Sequence, residues 1–324
     1  MHMEKNQKLK DRLISFVIPC YNSGKTIESV VRQIDDVMKT REGYEYEVIL
    51  VNDNPPDDTW RIIKDLHQKN PKVTGLCMSH NFGQHNALMA GYRKAKGDII
   101  VSLDDDGQNP PSEVFKLVDR LNGNTNVVYG DYTDDKFASG FRKLGSDFND
   151  WTATWLLNKP KELYFSSYIA TTREVIDQVN RYTGPYPFVD GLMLRSGSGI
   201  VNQNVDHQKR QEGQSGYSLS KLLNLWANGF TAFSVKPLRI GALLGAICAG
   251  FGFLFSLFVV IQKLIYQDAV DAGWSSIICI MMILGGLILL MLGLIGEYVG
   301  RIYLTMNSTP QYIIFETTES DSQS

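Results

Sequence analysis

Two stretches without a charged side chain near the C-terminal end of this 324-residue chain set the strongest limit on its fold. They cover residues 241–261 and 274–296. As helices of about 20 residues or slightly more, each is long enough to cross roughly 30 Å of hydrocarbon. A core helix of that length in a soluble protein normally carries a polar face. The sequence therefore predicts two transmembrane helices, and a pair of buried core helices is the alternative.

The charges beside these two stretches predict how they are oriented. Lys236 and Arg239 precede the first stretch and Arg301 follows the second, whereas the connecting loop balances Lys263 with two aspartates. Positive side chains prefer the cytoplasmic side of a membrane. The charged N-terminal residues do not resemble a signal peptide. We expect a multi-pass protein of the cell membrane with a cytoplasmic N-terminal domain and both termini in the cytoplasm.

The N-terminal part alternates apolar, β-rich runs with helical periodicity, which is typical of an α/β fold with a mostly parallel sheet. Predicted helices cover about 27–38, 60–66, 86–95 and 111–121, and Ser23 is a candidate N-cap of the first. Predicted strands cover residues 14–19, 46–51, 73–78, 98–103 and 126–130.

Three regions follow from these patterns. Residues 1–235 form the α/β domain, residues 236–304 the two-helix membrane region, and residues 305–324 a cytoplasmic tail. Within the first region, residues 141–157 and 218–230 mix basic, aromatic and aliphatic side chains. We expect amphipathic juxtamembrane helices there, and ordinary helices packed on the domain are the alternative.

Polar clusters follow the first four predicted strands, where parallel sheets bind ligands. No G-x-G-x-x-G motif follows the first strand, so a dinucleotide-binding site loses its main support. The net charge of -3 argues against nucleic acid as a partner. The four cysteines include no C-x-x-C pair, so a zinc site or a disulfide framework is unsupported. The polar clusters are residues 21–25, 52–58, 79–85 and 104–111.

Three adjacent carboxylates, Asp104, Asp105 and Asp106, end the fourth strand and would repel one another without compensation. Alternation along an extended backbone places Asp104 and Asp106 on one side. With Gln108, that side offers oxygen ligands suited to Mg²⁺ or Mn²⁺. A solvated acidic turn is the alternative.

The chain contains the runs VIPCYN, VILVND, NFGQHNALMAGY, GDIIVSLDDDGQNPP and IGEYVGRIY, in that order. Together these runs resemble the inverting GT-A glycosyltransferases that make polyprenyl-phosphate sugars. That group includes dolichyl-phosphate mannose synthases, bacterial polyprenyl-phosphate glucosyltransferases and undecaprenyl-phosphate aminoarabinose-type transferases. The similarity extends over nearly the whole chain.

The resemblance implies a GT-A (Rossmann-like) fold, a nucleotide sugar donor, a polyprenyl phosphate acceptor, a divalent metal and a homo-oligomer such as a tetramer. It places Arg210 on the donor diphosphate and Arg142 on the acceptor phosphate, and Asp53 on the base or ribose. It assigns metal binding to Asp104, Asp106 and Gln108. The remaining residues that it places at the nucleotide sugar are Pro19, Tyr21, Asn22, Asn81, Gln84, Asp105 and Ser215.

Three positions depart from the family pattern. Asn54 and Pro55 stand where Gly-Ser is usual, His80 stands where Arg is frequent, and Gly216 stands where Lys is common. The first departure changes the loop on the nucleotide side, and the last removes a phosphate contact. None of them is a predicted metal ligand, so we interpret them as marks of a subfamily.

The acceptor of such a reaction is a phosphate monoester that is already largely anionic at neutral pH, because its second pKa is about 6. The reaction therefore needs no general base. Asp190 invites assignment as such a base, but it is as good a candidate for binding a sugar hydroxyl or for a structural role. The resemblance implies a UDP-linked hexose or hexosamine as donor. Alternatives are a transferase with a non-polyprenyl acceptor and a membrane-bound scaffold that binds nucleotide sugars without catalysis. A processive polysaccharide synthase would normally carry a Q-x-x-R-W motif, which is absent.

The two arginines are predicted to serve different substrates. We expect Arg142→Ala to raise the KM for lipid phosphate by about tenfold or more and Arg210→Ala to raise the KM for the donor similarly, since each removes a charge-assisted phosphate contact. Lysine should rescue only in part because it lacks the planar fork of arginine. Steady-state kinetics with each substrate varied, together with calorimetric nucleotide binding, tests this. Loss of nucleotide affinity in the Arg142 variant with unchanged lipid dependence would contradict it.

Overall fold

The computed structural model describes residues 12–54, 56–132, 159–206, 274–307 and 309–319, together with isolated positions at 154, 238 and between 241 and 261. Pro55, Arg142, Arg210, Ser215 and Gly216 lie outside the described residues.

Strands and helices alternate along the first part of the chain. The strands are β1 Arg12–Cys20, β2 Tyr44–Asn52, β3 Val73–Met78, β4 Ile99–Ser102, β5 Val127–Asp131, β6 Ile169–Thr172, β7 Ile200–Asn204 and β8 Ile314–Thr317. The α-helices are α1 Ile27–Lys39, α2 Thr59–Lys69, α3 Gln84–Lys94, α4 Val114–Val118, α5 Arg173–Val179, α6 Val189–Ser196 and α7 Trp274–Met306, and a 3₁₀ turn, Pro111–Glu113, precedes α4.

The strands form one mixed sheet in the order β7-β5-β6-β4-β1-β2-β3-β8. Its centre, β4-β1-β2-β3, is parallel, so the carboxyl ends of these four strands lie at one edge. Strands β6 and β8 are antiparallel to their neighbours β4 and β3. The central strand β1 is completely buried from Ile14 to Ile18, as expected when helices cover both faces of a sheet.

The α/β class and all five predicted strands are confirmed. One local prediction is wrong, and one predicted helix is shorter than expected. Helix α1 begins at Ile27, with Thr26 in the capping position and no side-chain cap, because the Ser23 hydroxyl donates to Asp105 instead. The helix predicted over residues 111–121 is a 3₁₀ turn followed by the short α4.

Helix α3 lies close against the sheet and thereby fixes the position of its N-terminal residues at the carboxyl edge. Gly91 allows this approach, because an added Cβ would lie 2.3 Å from Cγ1 of Val17 on β1. A side chain at this position would force α3 away from the sheet. Because position 91 is a glycine, α3 packs close to the sheet. Gln84 and His85, at the start of the helix, therefore lie beside the ends of β1 and β2.

The chain beyond the last helix returns to the sheet. We expected residues 305–324 to be a separate tail, but β8 pairs with β3 in antiparallel register. The described residues up to 206 and from 309 to 319 belong to one compact unit. Part of the predicted tail is therefore an edge strand of the N-terminal domain, because β3 would otherwise present unpaired backbone groups.

The described residues between 227 and 308 belong to a second unit. Within the described part of the chain, one segment, Leu284–Met306 of α7, is long and apolar enough to cross a membrane, with a length of about 35 Å. It overlaps the second predicted span and continues through Glu297 and Arg301, which form an ion pair at 2.7 Å. The first predicted span is described only at isolated positions, and the two amphipathic stretches lie outside the described residues apart from Thr154. The two-span arrangement and its orientation therefore stay predictions.

Candidate functional site

Hydrogen bonds join all four predicted polar clusters at the carboxyl edge of the sheet. The backbone N–H of Tyr21, after β1, donates to Asp105, after β4, at 3.1 Å. The Gln84 side chain, at the start of α3, donates to Asp104 at 3.0 Å. Asp53, after β2, accepts from the loop that precedes α3. The structure therefore brings Tyr21, Asp53, Gln84, Asp104 and Asp105 to one edge of the sheet, whereas no hydrogen bond among the described residues joins the side chains of Pro19, Asn22 or Asn81 to them.

The backbone of this edge adopts unusual conformations. Asn22 has a φ of 58° and Asn54 a φ of 45°, and they are the two non-glycine residues with positive φ in the described part of the chain. Gly83 and Gly107, with φ of 89° and 75°, lie in the neighbouring loops. Left-handed conformations at non-glycine residues are costly, and they cluster at ligand sites.

Asp53 organises the loop between β3 and α3. Its side chain is 4% exposed, and its two carboxylate oxygens accept the N–H groups of Phe82 at 2.7 Å and Gly83 at 2.8 Å. Burial raises the pKa of Asp53, and these two hydrogen bonds oppose the shift. The structure thus gives Asp53 a positioning role, and its contact with the base or ribose stays a prediction.

Asp105 fixes the loop after β1. It accepts from the backbone of Tyr21 and from the Ser23 hydroxyl. Burial is the main cause that raises the pKa of Asp105, and the hydrogen bond from Ser23 opposes it. Tyr21 itself is 47% exposed, so its ring is available to a ligand.

Asp104 faces a different set of donors. Its Oδ1 accepts from Gln84, and its Oδ2 accepts from the Ser167 hydroxyl and from the Asn109 amide at 3.4 Å. Asn109 is buried and also accepts from the Tyr132 hydroxyl at 2.5 Å. Sequence reasoning missed Ser167, Asn109 and Tyr132. Asn109 lies in the same polar run as Asp104, but the approach of Ser167 depends on the antiparallel β6, which no sequence pattern indicated.

The predicted metal ligands lie together on the turn after β4. Asp106 is 8% exposed, and its Oδ1 accepts the backbone N–H of Gln108 at 3.0 Å. Among the described residues, no group of three or more His, Cys, Asp or Glu side chains is arranged to hold a metal by itself. Mg²⁺ usually binds to one or two carboxylates and completes its shell with water and substrate phosphates. Two carboxylates and the Gln108 amide oxygen fit that kind of site.

A cavity of about 350 Å³ opens beside Asn54, between the ends of β2 and β3. Asn52 lines it, is 2% exposed, and donates from Nδ2 to the Cys77 sulfur at 3.3 Å. Its Oδ1 is buried and has no hydrogen-bond partner among the described residues. A buried amide oxygen without a donor is costly, so the cavity suits a ligand that brings one. The other lining residues are Asp57, Trp60, Met78, Ser79, Phe315 and Glu316.

A second titratable cluster joins α3 to α6. Burial raises the pKa of Asp190 to about 6, and the Tyr129 hydroxyl donates to it at 3.1 Å. Burial lowers the pKa of His85 to about 4, so this ring is neutral and its Nδ1 accepts the Val189 N–H at 3.4 Å. Sequence reasoning named Asp190 and missed the other members.

Asp190 predicts a specific dependence of stability on pH. Its folded pKa of about 6 lies above the ordinary value of 3.8, so its stabilising contribution is complete below pH 3.8 and is lost as pH rises through 6. Relative to Asp190→Asn, the unaltered chain should lose roughly 2 kcal/mol of unfolding free energy between about pH 4 and pH 7. Denaturant unfolding of the full chain in detergent measures this, with the exposed Asp36→Asn as control. Identical pH profiles for the Asp190 variant and the unaltered chain would contradict the assignment.

Comparison with known proteins identifies the family. The sequence profile described as Glycosyl transferase family 2 matches residues 15–179. The uncharacterized glycosyltransferase YkcC of Bacillus subtilis is 32% identical over 93% of this chain and 92% of its own. The undecaprenyl-phosphate 4-deoxy-4-formamido-L-arabinose transferase of Aeromonas hydrophila is 32% identical over 95% of both chains.

A solved structure shows a partial likeness. The glucosyl-3-phosphoglycerate synthase of Mycobacterium tuberculosis in complex with UDP superposes with a TM-score of 0.46 at 20% identity, covering 67% of this chain and 76% of the other. The profile match and the two relatives identify the chain without it. The chain belongs to glycosyl transferase family 2, and it is a glycosyltransferase.

Proposed function

We propose that this glycosyltransferase moves a sugar from a nucleotide diphosphate to undecaprenyl phosphate or a similar polyprenyl phosphate, giving a polyprenyl-monophosphate sugar. The similarity to an undecaprenyl-phosphate transferase over 95% of both chains carries the proposal. The apolar segment Leu284–Met306 supports it, since an acceptor with a long hydrocarbon tail is presented by a membrane. We further propose that the domain faces the cytoplasm and that the chain assembles as a homo-oligomer.

The donor is proposed to lie along the carboxyl edge of the sheet. The cavity beside Asn52 suits the base end of a nucleotide, because the buried Oδ1 needs a donor and a pyrimidine or purine edge supplies N–H groups. Carboxylates of Asp57 and Glu316 in the lining make this cavity unfavourable for the diphosphate. The diphosphate is therefore placed towards Asp104 and Asp106. UDP is the proposed carrier, and a hexose or hexosamine the proposed sugar.

The reaction forms a bond between an acceptor phosphate oxygen and the anomeric carbon and breaks the bond from that carbon to the diphosphate, so the configuration inverts. A divalent ion, Mg²⁺ or Mn²⁺, bound by Asp104, Asp106 and Gln108 would stabilise the charge that develops on the leaving group. The donors around Asp104 hold its carboxylate in one orientation. Arg210 is proposed to stabilise the same charge, and Arg142 to bind the acceptor phosphate.

Asp190 is proposed to take no part in proton transfer. The acceptor phosphate is already largely ionised at neutral pH, and the carboxyl of Asp190 accepts from Tyr129 within the protein. We propose that Asp190 either holds a sugar hydroxyl or supports α6.

A transfer assay tests the function directly. Purified chain in detergent is incubated with undecaprenyl phosphate and UDP-glucose, UDP-N-acetylglucosamine, a UDP-linked 4-formamido-arabinose, or GDP-mannose, and the lipid is analysed by mass spectrometry. We expect one of the sugars to appear on the lipid phosphate. Donor hydrolysis or transfer to a soluble acceptor without lipid product would favour the non-polyprenyl alternative. Nucleotide binding without turnover would favour a scaffold.

The same assay tests the metal. We expect a chelator to abolish transfer, and added Mg²⁺ or Mn²⁺ to restore it. Asp104→Asn and Asp106→Asn should each reduce transfer by about 100-fold or more, because they remove charge that holds the ion. Circular dichroism should show that both variants stay folded, and Asp36→Asn serves as the control. Full activity in chelator, or in both variants, would remove the metal from the proposal.

A further inference from the structure

Strand β8 does more than cover the edge of β3, because it is also bonded to the loops of the site. The Ser79 N–H, at the start of the loop between β3 and α3, donates to the Ile313 carbonyl at 2.9 Å. The Ser79 carbonyl in turn accepts from Asn54 at 3.1 Å. The loop between β3 and α3 is thus held by Asp53 at its α3 end and by the C-terminal segment at its β3 end.

Glu316 of β8 forms part of the wall of the cavity beside Asn52. Its carboxylate accepts from the indole Nε1 of Trp60, another lining residue, at 2.7 Å. It also pairs with Lys64, on the same helix as Trp60, at 3.4 Å. The orientation of the indole in the cavity wall is therefore set by a residue about 250 positions later in the chain.

The packing beneath Trp60 leaves little space for another arrangement. An added Cβ at Gly75 on β3 would lie 2.9 Å from the Trp60 ring, 2.9 Å from Thr318 and 2.4 Å from Ile63. Helix α2 and the C-terminal segment therefore both pack against β3 at Gly75. The Thr318 hydroxyl also accepts the Gly75 N–H at 2.8 Å.

We propose that Glu316 is a positioning residue for donor binding, and that the C-terminal segment completes the nucleotide cavity by holding Trp60 in its wall. This rests on the proposed function in one respect, namely that the base end of the donor occupies this cavity. Glu316 acts through Trp60 and touches no reacting atom. Its loss is therefore expected to affect donor affinity and to leave the chemical step nearly unchanged.

Three variants of the full chain separate this role from general support of the strand. Glu316→Ala removes the acceptor of the Trp60 N–H, whereas Glu316→Gln retains an oxygen for it. Glu319→Ala is the matched control, because Glu319 lies in the same segment and pairs with Lys94 at 2.5 Å but does not line the cavity. We expect Glu316→Ala to raise the KM for donor and the Kd for UDP by about tenfold. The kcat of Glu316→Ala should stay within about twofold of that of the unaltered chain. The KM for donor and the Kd for UDP of Glu316→Gln and Glu319→Ala should also stay within about twofold.

A double variant tests whether the effect passes through Trp60. If it does, Glu316→Ala combined with Trp60→Phe should bind UDP no more weakly than the worse single variant. Additive losses, or equal losses in Glu316→Ala and Glu319→Ala, would show that β8 supports the domain without positioning the cavity.

Labelling of Cys77 gives a readout that needs no nucleotide. Cys77 lines the cavity and is 6% exposed. We expect iodoacetamide to modify it at least about fivefold faster in Glu316→Ala than in Glu319→Ala, because a released indole opens the wall. Peptide mass spectrometry follows the site. Equal rates would overturn the proposal. If UDP fails to bind the unaltered chain, the donor assignment fails, and the labelling rates still decide whether Glu316 closes the cavity.

Discussion

Carboxylates crowded at the carboxyl edge of the sheet are the constraint on which the site depends. A buried or half-buried carboxylate is stable only if donors or cations compensate it, and here the donors come from different loops. Asp53 takes two backbone N–H groups from the loop before α3, and Asp105 takes one from the loop after β1. Satisfying each charge therefore also fixes the loop that satisfies it. The same hydrogen bonds therefore determine both the conformation of these loops and the positions of the carboxylates.

The sequence predicted the central sheet because its signals are local. Apolar runs of strand length and apolar residues at helical spacing identify β1 to β5 and the helices between them. The rule that ligands bind beyond the carboxyl ends of parallel strands then placed Asp53, Asp104 and Gln84 in one site before any geometry was known. The wrong assignment of Ser23 has a physical reason as well. Its hydroxyl can cap a helix or satisfy a carboxylate, and only the tertiary structure shows that Asp105 is within reach.

The parts that were missed depend on contacts between distant segments. Ser167 reaches Asp104 because β6 inserts antiparallel between β4 and β5, a pairing that short, unremarkable runs such as residues 169–172 do not reveal. Asn52 lies in the predicted polar cluster of residues 52–58, but the sequence assigns it no role of its own, and only the structure shows that it faces the cavity. The strand β8 consists of four residues, and composition alone gave no reason to join it to the sheet.

The pairing of the C-terminal strand β8 with β3 limits how the chain can cross a membrane. Strand β8 follows α7, yet it pairs with β3, which precedes α7 by about 200 residues. If the predicted membrane region crosses a bilayer, both of its flanks must lie on the same face, because a folded sheet cannot have strands on opposite faces of a membrane. The number of crossings between them must then be even. If α7 crosses once, the chain needs a partner crossing before it, and residues 241–261 are the uncharged stretch that can provide it. The hydrogen-bonded pairing of β3 with β8, outside the bilayer, thus requires an even number of crossings in any membrane arrangement of this chain.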